Sequence, residues 1–151
     1  MTWIRYTLAT IAGVVIALVL ISAFEAAGHA LFAGPADTDM STPAAVAAYM
    51  QKVPVGALVI VLAGWIVGTF AGVIAACMVA RVHPIRFAAV VGGLVFAATV
   101  ANLMMTPHPL WMTIAAVIGI PLATSLAARV MSARAQRPPV DASSASGPEN
   151  P

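Results

Sequence analysis

Few residues in this chain could bind a ligand or carry a proton, and they gather at the ends of apolar runs. The segment Ser22-Ala-Phe-Glu-Ala-Ala-Gly-His29 holds Glu25, the only acid within or bordering any apolar run, with His29 four residues on. At about 100° per residue of helix, Glu25 and His29 lie roughly 40° apart and Ser22 within about 60° of Glu25, one polar face on an otherwise oily helix. Two further candidates follow later: Asn102, and His108 in Thr106-Pro107-His108-Pro109.

Four kinds of chemistry suit Glu25 and His29. Both could sit solvated at the headgroup level, where a charge costs little. Glu25 could instead accept hydrogen bonds from His29 or Asn102 and pin helices in register. Glu25, His29 and His108 could form an open divalent-metal set of one carboxylate and two imidazoles. A proton or ligand relay into a bundle is the last, although no acid or base continues the path to the other side. The ligand-binding candidates are therefore Glu25, His29, Asn102 and His108, and no particular cofactor is implied.

The elements that must position these residues follow from composition. Of 151 residues, 62% are hydrophobic and only 8% charged, with a mean hydropathy of +1.00; soluble domains carry about 25% charged residues. Four runs are long enough to cross a bilayer: about Thr7 to Phe24, Pro54 to Ala80, about Phe87 to Met105, and Trp111 to about Ala128. The fold expected is all-α, a four-transmembrane-helix bundle spanning residues 1–131. The tail over 132–151 should be disordered, its Pro138 to Pro151 stretch being small and polar. A secretory signal competes for the first run, but the run exceeds a typical signal core and no small-x-small cleavage site directly follows it.

Between the first two runs, Gly34 to Asp39 reads as turn chemistry. Ser41-Thr42-Pro43 then supplies a hydroxyl cap and a proline for a short helix ending before Pro54. Val46, Tyr49, Met50 and Val53 share one apolar face, so this helix should lie on the membrane interface as a lid. In the second run Gly64, Gly68, Gly72, Ala76 and Ala80 recur every fourth position, a ridge that another helix backbone can approach closely. Similar spacing recurs at Ala9-Gly13-Ala17, Ala89-Gly93-Ala97-Ala101 and Ala115-Gly119-Ala123-Ala127. In the third run Gly92, Thr99, Asn102 and Thr106 fall within about 80° and should look inward. Pro121 should kink the fourth.

If the amino terminus is cytoplasmic, Arg5, Arg81, Arg86, Arg129, Arg134 and Arg137 are all inside and only Lys52 outside, a strong positive-inside pattern. Both termini are then cytoplasmic, and Glu25, His29 and His108 face the periplasm. Arg5 to Glu25 rises about 30 Å and Arg86 to Asn102 about 24 Å, so the candidates reach similar depth.

A formal charge of +2 is too small and scattered for a nucleic-acid partner. The lone Cys77 forbids an intrachain disulfide. No nucleophile motif or phosphate-cradling loop occurs. The expected role is thus non-catalytic: an accessory or scaffold subunit associating through glycine-rich faces, Gly64, Gly68 and Gly72 foremost, with another membrane protein or itself. The alternative is a periplasm-facing protein that binds or transports a small ligand, metal or proton through the four polar candidates. Six of seven basic residues are Arg and alanine is abundant, as in a GC-rich bacterial genome.

The first-run Glu-x-x-x-His, the Val-Pro-Val-Gly-Ala-Leu entry to the second run and Ala-Asn-Leu-Met-Met-Thr-Pro-His-Pro-Leu-Trp together resemble a group of short, uncharacterised bacterial inner-membrane proteins with four helices, over roughly Thr7 to Ala128. The resemblance implies a multi-pass inner-membrane location and carries no biochemical role.

Overall fold

The structure, a computed structural model, describes residues 2–32, 41–81 and 83–136. The Gly34 to Asp39 turn, Arg137 and the Pro138 to Pro151 tail lie outside these. Five α-helices account for nearly all of the described chain: α1 (Thr2–Leu31), α2 (Pro43–Met50), α3 (Val55–Ala80), α4 (Pro84–Met105) and α5 (Leu110–Ala135). All but α2 are long and apolar enough to span a membrane. The helices outrun the oily segments that mark them. The 30 residues of α1 rise about 45 Å, against a hydrocarbon thickness of about 30 Å, so Glu25 and His29 belong to helix rather than to a loop. At the other end of the chain α5 continues to Ala135, past the domain boundary expected at residue 131, and runs through Pro121 without a break.

Helix α3 is the hub. It packs against α1, α4 and α5; α4 and α5 pack on each other, α1 touches α4 only lightly, and α1 and α5 do not meet. The glycine ridge explains why α1 and α3 approach most closely. A Cβ on Gly72 would lie 2.5 Å from the Gly13 carbonyl oxygen, one on Gly68 would lie 2.9 Å from the Ala17 carbonyl oxygen, and one on Gly64 would lie 2.5 Å from Phe24 Cβ. Facing the ridge, Ala9, Gly13 and Ala17 are buried on α1. Without a hydrophobic drive in lipid, such backbone proximity and its dispersion contacts hold two spans together. The larger side chains fill two clusters, one around Val73, Phe87 and Val91 and the other around Trp65, Met112 and Ile120.

The connections are closed locally. Thr42 caps α2, its hydroxyl accepting from the Ala45 N–H at 3.2 Å; Met50 at its end and Val53 just after it pack on the Trp65 cluster, while the α2 backbone stays clear of the spans. Between α3 and α4, Arg81 and His83 both adopt positive φ, 56° and 48°, a left-handed conformation that costs a non-glycine residue about 1 kcal/mol or more. The guanidinium of Arg5 donates to the Ala80 carbonyl, placing a cation on the orphan carbonyls that end α3. The Cys77 thiol donates to the Pro84 carbonyl at 3.5 Å and is buried.

Candidate functional site

Because α1 leans on α3 and barely meets α4, an open seam runs between α1 and α4. At its waist, a Cβ on Gly13 would come within 3.2 Å of Val91 Cγ2. On the side of the waist toward Glu25 lies a cavity of about 270 Å³, walled by Val14, Leu18, Ile21 and Glu25 of α1, Leu94, Val95, Ala98, Thr99 and Asn102 of α4, and Trp65 of α3. Glu25 also borders a second, smaller cavity of about 70 Å³ beside the end of α2, with His29, Tyr49 and Lys52. That volume suits one or two water molecules, at about 30 Å³ each. Glu25 thus stands where a lateral opening toward lipid meets a small, mostly apolar space whose polar side chains besides its own are His29, Tyr49 and Lys52.

The polar groups on this cavity differ in hydrogen bonding from several of the hydroxyls packed in the spans, although Thr10, Ser22, Ser125 and Ser132 elsewhere in the helices are also without a bond among the described residues. Thr69, Thr113 and Thr124 each return their hydroxyl to the carbonyl four residues back, at 2.6, 3.4 and 2.9 Å, as hydroxyls in apolar helices do. Thr99, only 7% exposed, makes no such bond among the described residues, and neither Glu25 nor Asn102 has a hydrogen-bond or ion-pair partner among them. A carboxylate, a hydroxyl and a carboxamide therefore line one lateral cavity with their bonding capacity unused.

The four candidates read from the sequence are only partly gathered. Glu25 shares one cavity with His29 and the other with Asn102. His108 joins neither; its ring meets the Trp65 indole edge-on at 5.8 Å. Its Nδ1 lies 2.7 Å from the Thr106 carbonyl. Since a carbonyl only accepts, Nδ1 carries a proton in this contact. His108 therefore braces the α4–α5 hairpin against α3. Among the described residues no group of three His, Cys, Asp or Glu side chains is placed to hold a metal ion, which corrects the expectation that Glu25, His29 and His108 could converge on one. Lys52 shares the small cavity with Glu25 without forming an ion pair.

The stripe expected to look inward divides. Gly92 and Thr99 are buried, whereas Asn102 is exposed, because the seam leaves that part of α4 without a facing helix. Two participants escaped the sequence reading. Trp65 forms a wall of the lateral cavity, and it reads as one more apolar residue of its run; Lys52 reads only as an outlying charge.

Neither a family model, nor a curated protein, nor a solved structure matches this chain.

Proposed function

We propose that this protein is a multi-pass binding protein of a bacterial inner membrane, admitting a lipophilic ligand from the bilayer into the Glu25 half of the α1/α4 seam. The ligand presents a cationic or hydrogen-bond-donating head to Glu25, Thr99 and Asn102, and its apolar body lies against Trp65, Leu18 and Leu94. The observation that carries the reading is that a carboxylate, a hydroxyl and a carboxamide, none with a hydrogen-bond or ion-pair partner among the described residues, line one lateral cavity. With the arginine-rich end cytoplasmic, this half faces the periplasm, and the small cavity under α2 links it toward water.

The test uses Trp65 as reporter in phosphatidylcholine nanodiscs titrated with a brominated long-chain alkylamine, its share of the fluorescence isolated by subtracting Trp65→Phe. Saturable quenching is expected, and Glu25→Gln should weaken binding about tenfold, since a charge-assisted hydrogen bond is worth about 1.5–3 kcal/mol. Equal binding by Glu25→Gln, or equal quenching by a brominated alkane without the amine, overturns the proposal.

An accessory or scaffold role keeps one open surface. The Gly64, Gly68 and Gly72 ridge is covered by α1, whereas Ala89, Gly93, Ala97 and Ala101 of α4 are all exposed and nothing lies within 4 Å of a Cβ built on Gly93. Thiol cross-linking between chains carrying Ala97→Cys on a Cys77→Ser background tests self-association there, and a chain that stays monomeric in membranes removes it.

A further inference from the structure

The other half of the α1/α4 seam has the opposite character. Beyond the Gly13–Val91 waist it widens into a cavity of about 530 Å³ whose walls include Trp3, Tyr6 and Ile11 of α1 and Arg86, Phe87 and Val90 of α4, with His83 at the start of α4. This volume is within the usual range of small-molecule sites, about 300–1,000 Å³. Tyr6 and Phe87 meet edge to face at 5.5 Å within it. Toward the middle of the spans the walls are Ile11, Phe87 and Val90 with the single hydroxyl of Thr10, while Arg86 and His83 stand at the helix ends. The seam is therefore apolar where acyl chains lie and donor-bearing where headgroups lie.

Charge selects the headgroup. Arg5, Arg81, Arg86, Arg129 and Arg134 all belong to this end of the helices, and the only acid among the described residues, Glu25, is at the far end of α1. Arg5 is occupied by the Ala80 carbonyl, but Arg86 has no hydrogen-bond or ion-pair partner among the described residues. Its guanidinium is therefore free to hold an anion that enters the cavity. A zwitterionic headgroup brings a trimethylammonium into a cluster of guanidinium groups, whereas an anionic one brings only phosphate and hydroxyls; basic recesses between spans select anionic lipids on this ground. Free phosphate would meet Arg86 yet leave the aromatic and aliphatic walls bare.

We propose that the basic half of the seam is a binding site for an anionic phospholipid, its phosphate held by Arg86 and His83 and an acyl chain lying against Ile11, Phe87 and Val90. This site is separate from the ligand site proposed at Glu25, the waist at Gly13 and Val91 standing between them.

Trp3 on the cavity wall supplies the reporter. The full chain is placed in vesicles of equal parts phosphatidylglycerol and phosphatidylcholine, with bromine on the acyl chains of one lipid or the other, and the Trp3 share of the fluorescence is isolated by subtracting Trp3→Phe. Brominated phosphatidylglycerol should quench Trp3 with about fivefold higher apparent association than brominated phosphatidylcholine, the value expected when one arginine contributes about 1 kcal/mol near an anionic surface. The preference should fall toward unity in Arg86→Gln, persist in Arg86→Lys, and stay unchanged in Glu25→Gln. Arg86 is exposed, so its substitution leaves the packing of the spans intact, which the circular dichroism of each variant checks. Equal quenching by both lipids in the natural chain, or a preference that survives Arg86→Gln, overturns the proposal. Quenching by neither lipid, as when a protein segment fills the seam, overturns it too.

Discussion

Helix α1 has two neighbours and treats them oppositely. Against α3 it is sealed: Gly13, Ala17, Ile21 and Phe24 meet the Gly64–Gly68–Gly72 ridge so closely that a methyl group would strike backbone at Gly68 and Gly72 and the Phe24 side chain at Gly64. Against α4 it touches at a waist and diverges on either side, leaving a cavity of about 270 Å³ toward Glu25 and one of about 530 Å³ toward Arg86. The difference teaches how a small bundle with little polar material holds together and still keeps a way in. Small residues concentrated on one face of α1 provide adhesion, which leaves the seam beside it to be lined by Glu25 of α1 and by Thr99 and Asn102 of α4.

One substitution, glycine to alanine, probes this division in three settings, and the expected effects fall in order. Gly72→Ala should be the most damaging, because its methyl would lie 2.5 Å from the Gly13 carbonyl oxygen and 2.8 Å from Ala17 Cβ. Backbone cannot swing aside, so a loss of about 2–3 kcal/mol is expected, near the upper part of the overpacking range. Reversible unfolding in mixed micelles followed by circular dichroism measures it; a variant as stable as the natural chain would mean that α1 is not sealed to α3. Gly92→Ala should cost less, about 1 kcal/mol. Its methyl meets the Thr124 side chain at 2.4 Å, and that side chain can rotate at the expense of its 2.9 Å bond to the Ile120 carbonyl. Adding Thr124→Ala removes both atoms at 2.4 Å but keeps the Cβ at 2.9 Å, so it should recover part of the loss, and a double variant no better than the single one breaks this account. Gly93→Ala has nothing within 4 Å to meet, so the better helix propensity of alanine should raise stability by about 0.5–1 kcal/mol. A loss there would reveal a partner helix on α4.

The seam has its own lesson about a charged residue in an apolar setting. Glu25 is half-buried yet has no partner within the described fold. Its two cavities place it between lipid on one side and the space beneath α2 on the other. The tests with Trp65 and Trp3 as reporters examine the two ends of the seam separately, so that one can fail while the other stands.

How much of this was legible in one dimension varies with the kind of interaction. The four spans were, because transfer into hydrocarbon depends on composition summed over about 20 residues. So was the capped short helix between the first two spans, since Thr42 and Pro43 are local instructions. The limits of the helices were less so: α1 reaches Leu31 rather than stopping near Phe24, because a helix continues beyond the lipid that an oily run records. The ridge at Gly64, Gly68 and Gly72 was visible as a surface made for close approach, but its occupant was not, and it proved to be α1 of the same chain rather than a second protein. At the candidate site, the depth of Glu25, His29, Asn102 and His108 could be counted in residues. Which of them share a cavity could not.

Hydropathy and periodicity along the chain, by themselves, determined the number of spans, the polar groups at each end and the faces able to pack closely, since these depend on residue type and helical spacing alone. Only the tertiary structure decided that α3 is the hub, that α1 parts from α4, that Trp65 walls the resulting cavity and that His108 braces it instead of entering. The physical reason is that the rotation of a helix about its own axis and its choice of neighbour are set by contacts with other helices, and no residue carries that information in its own segment.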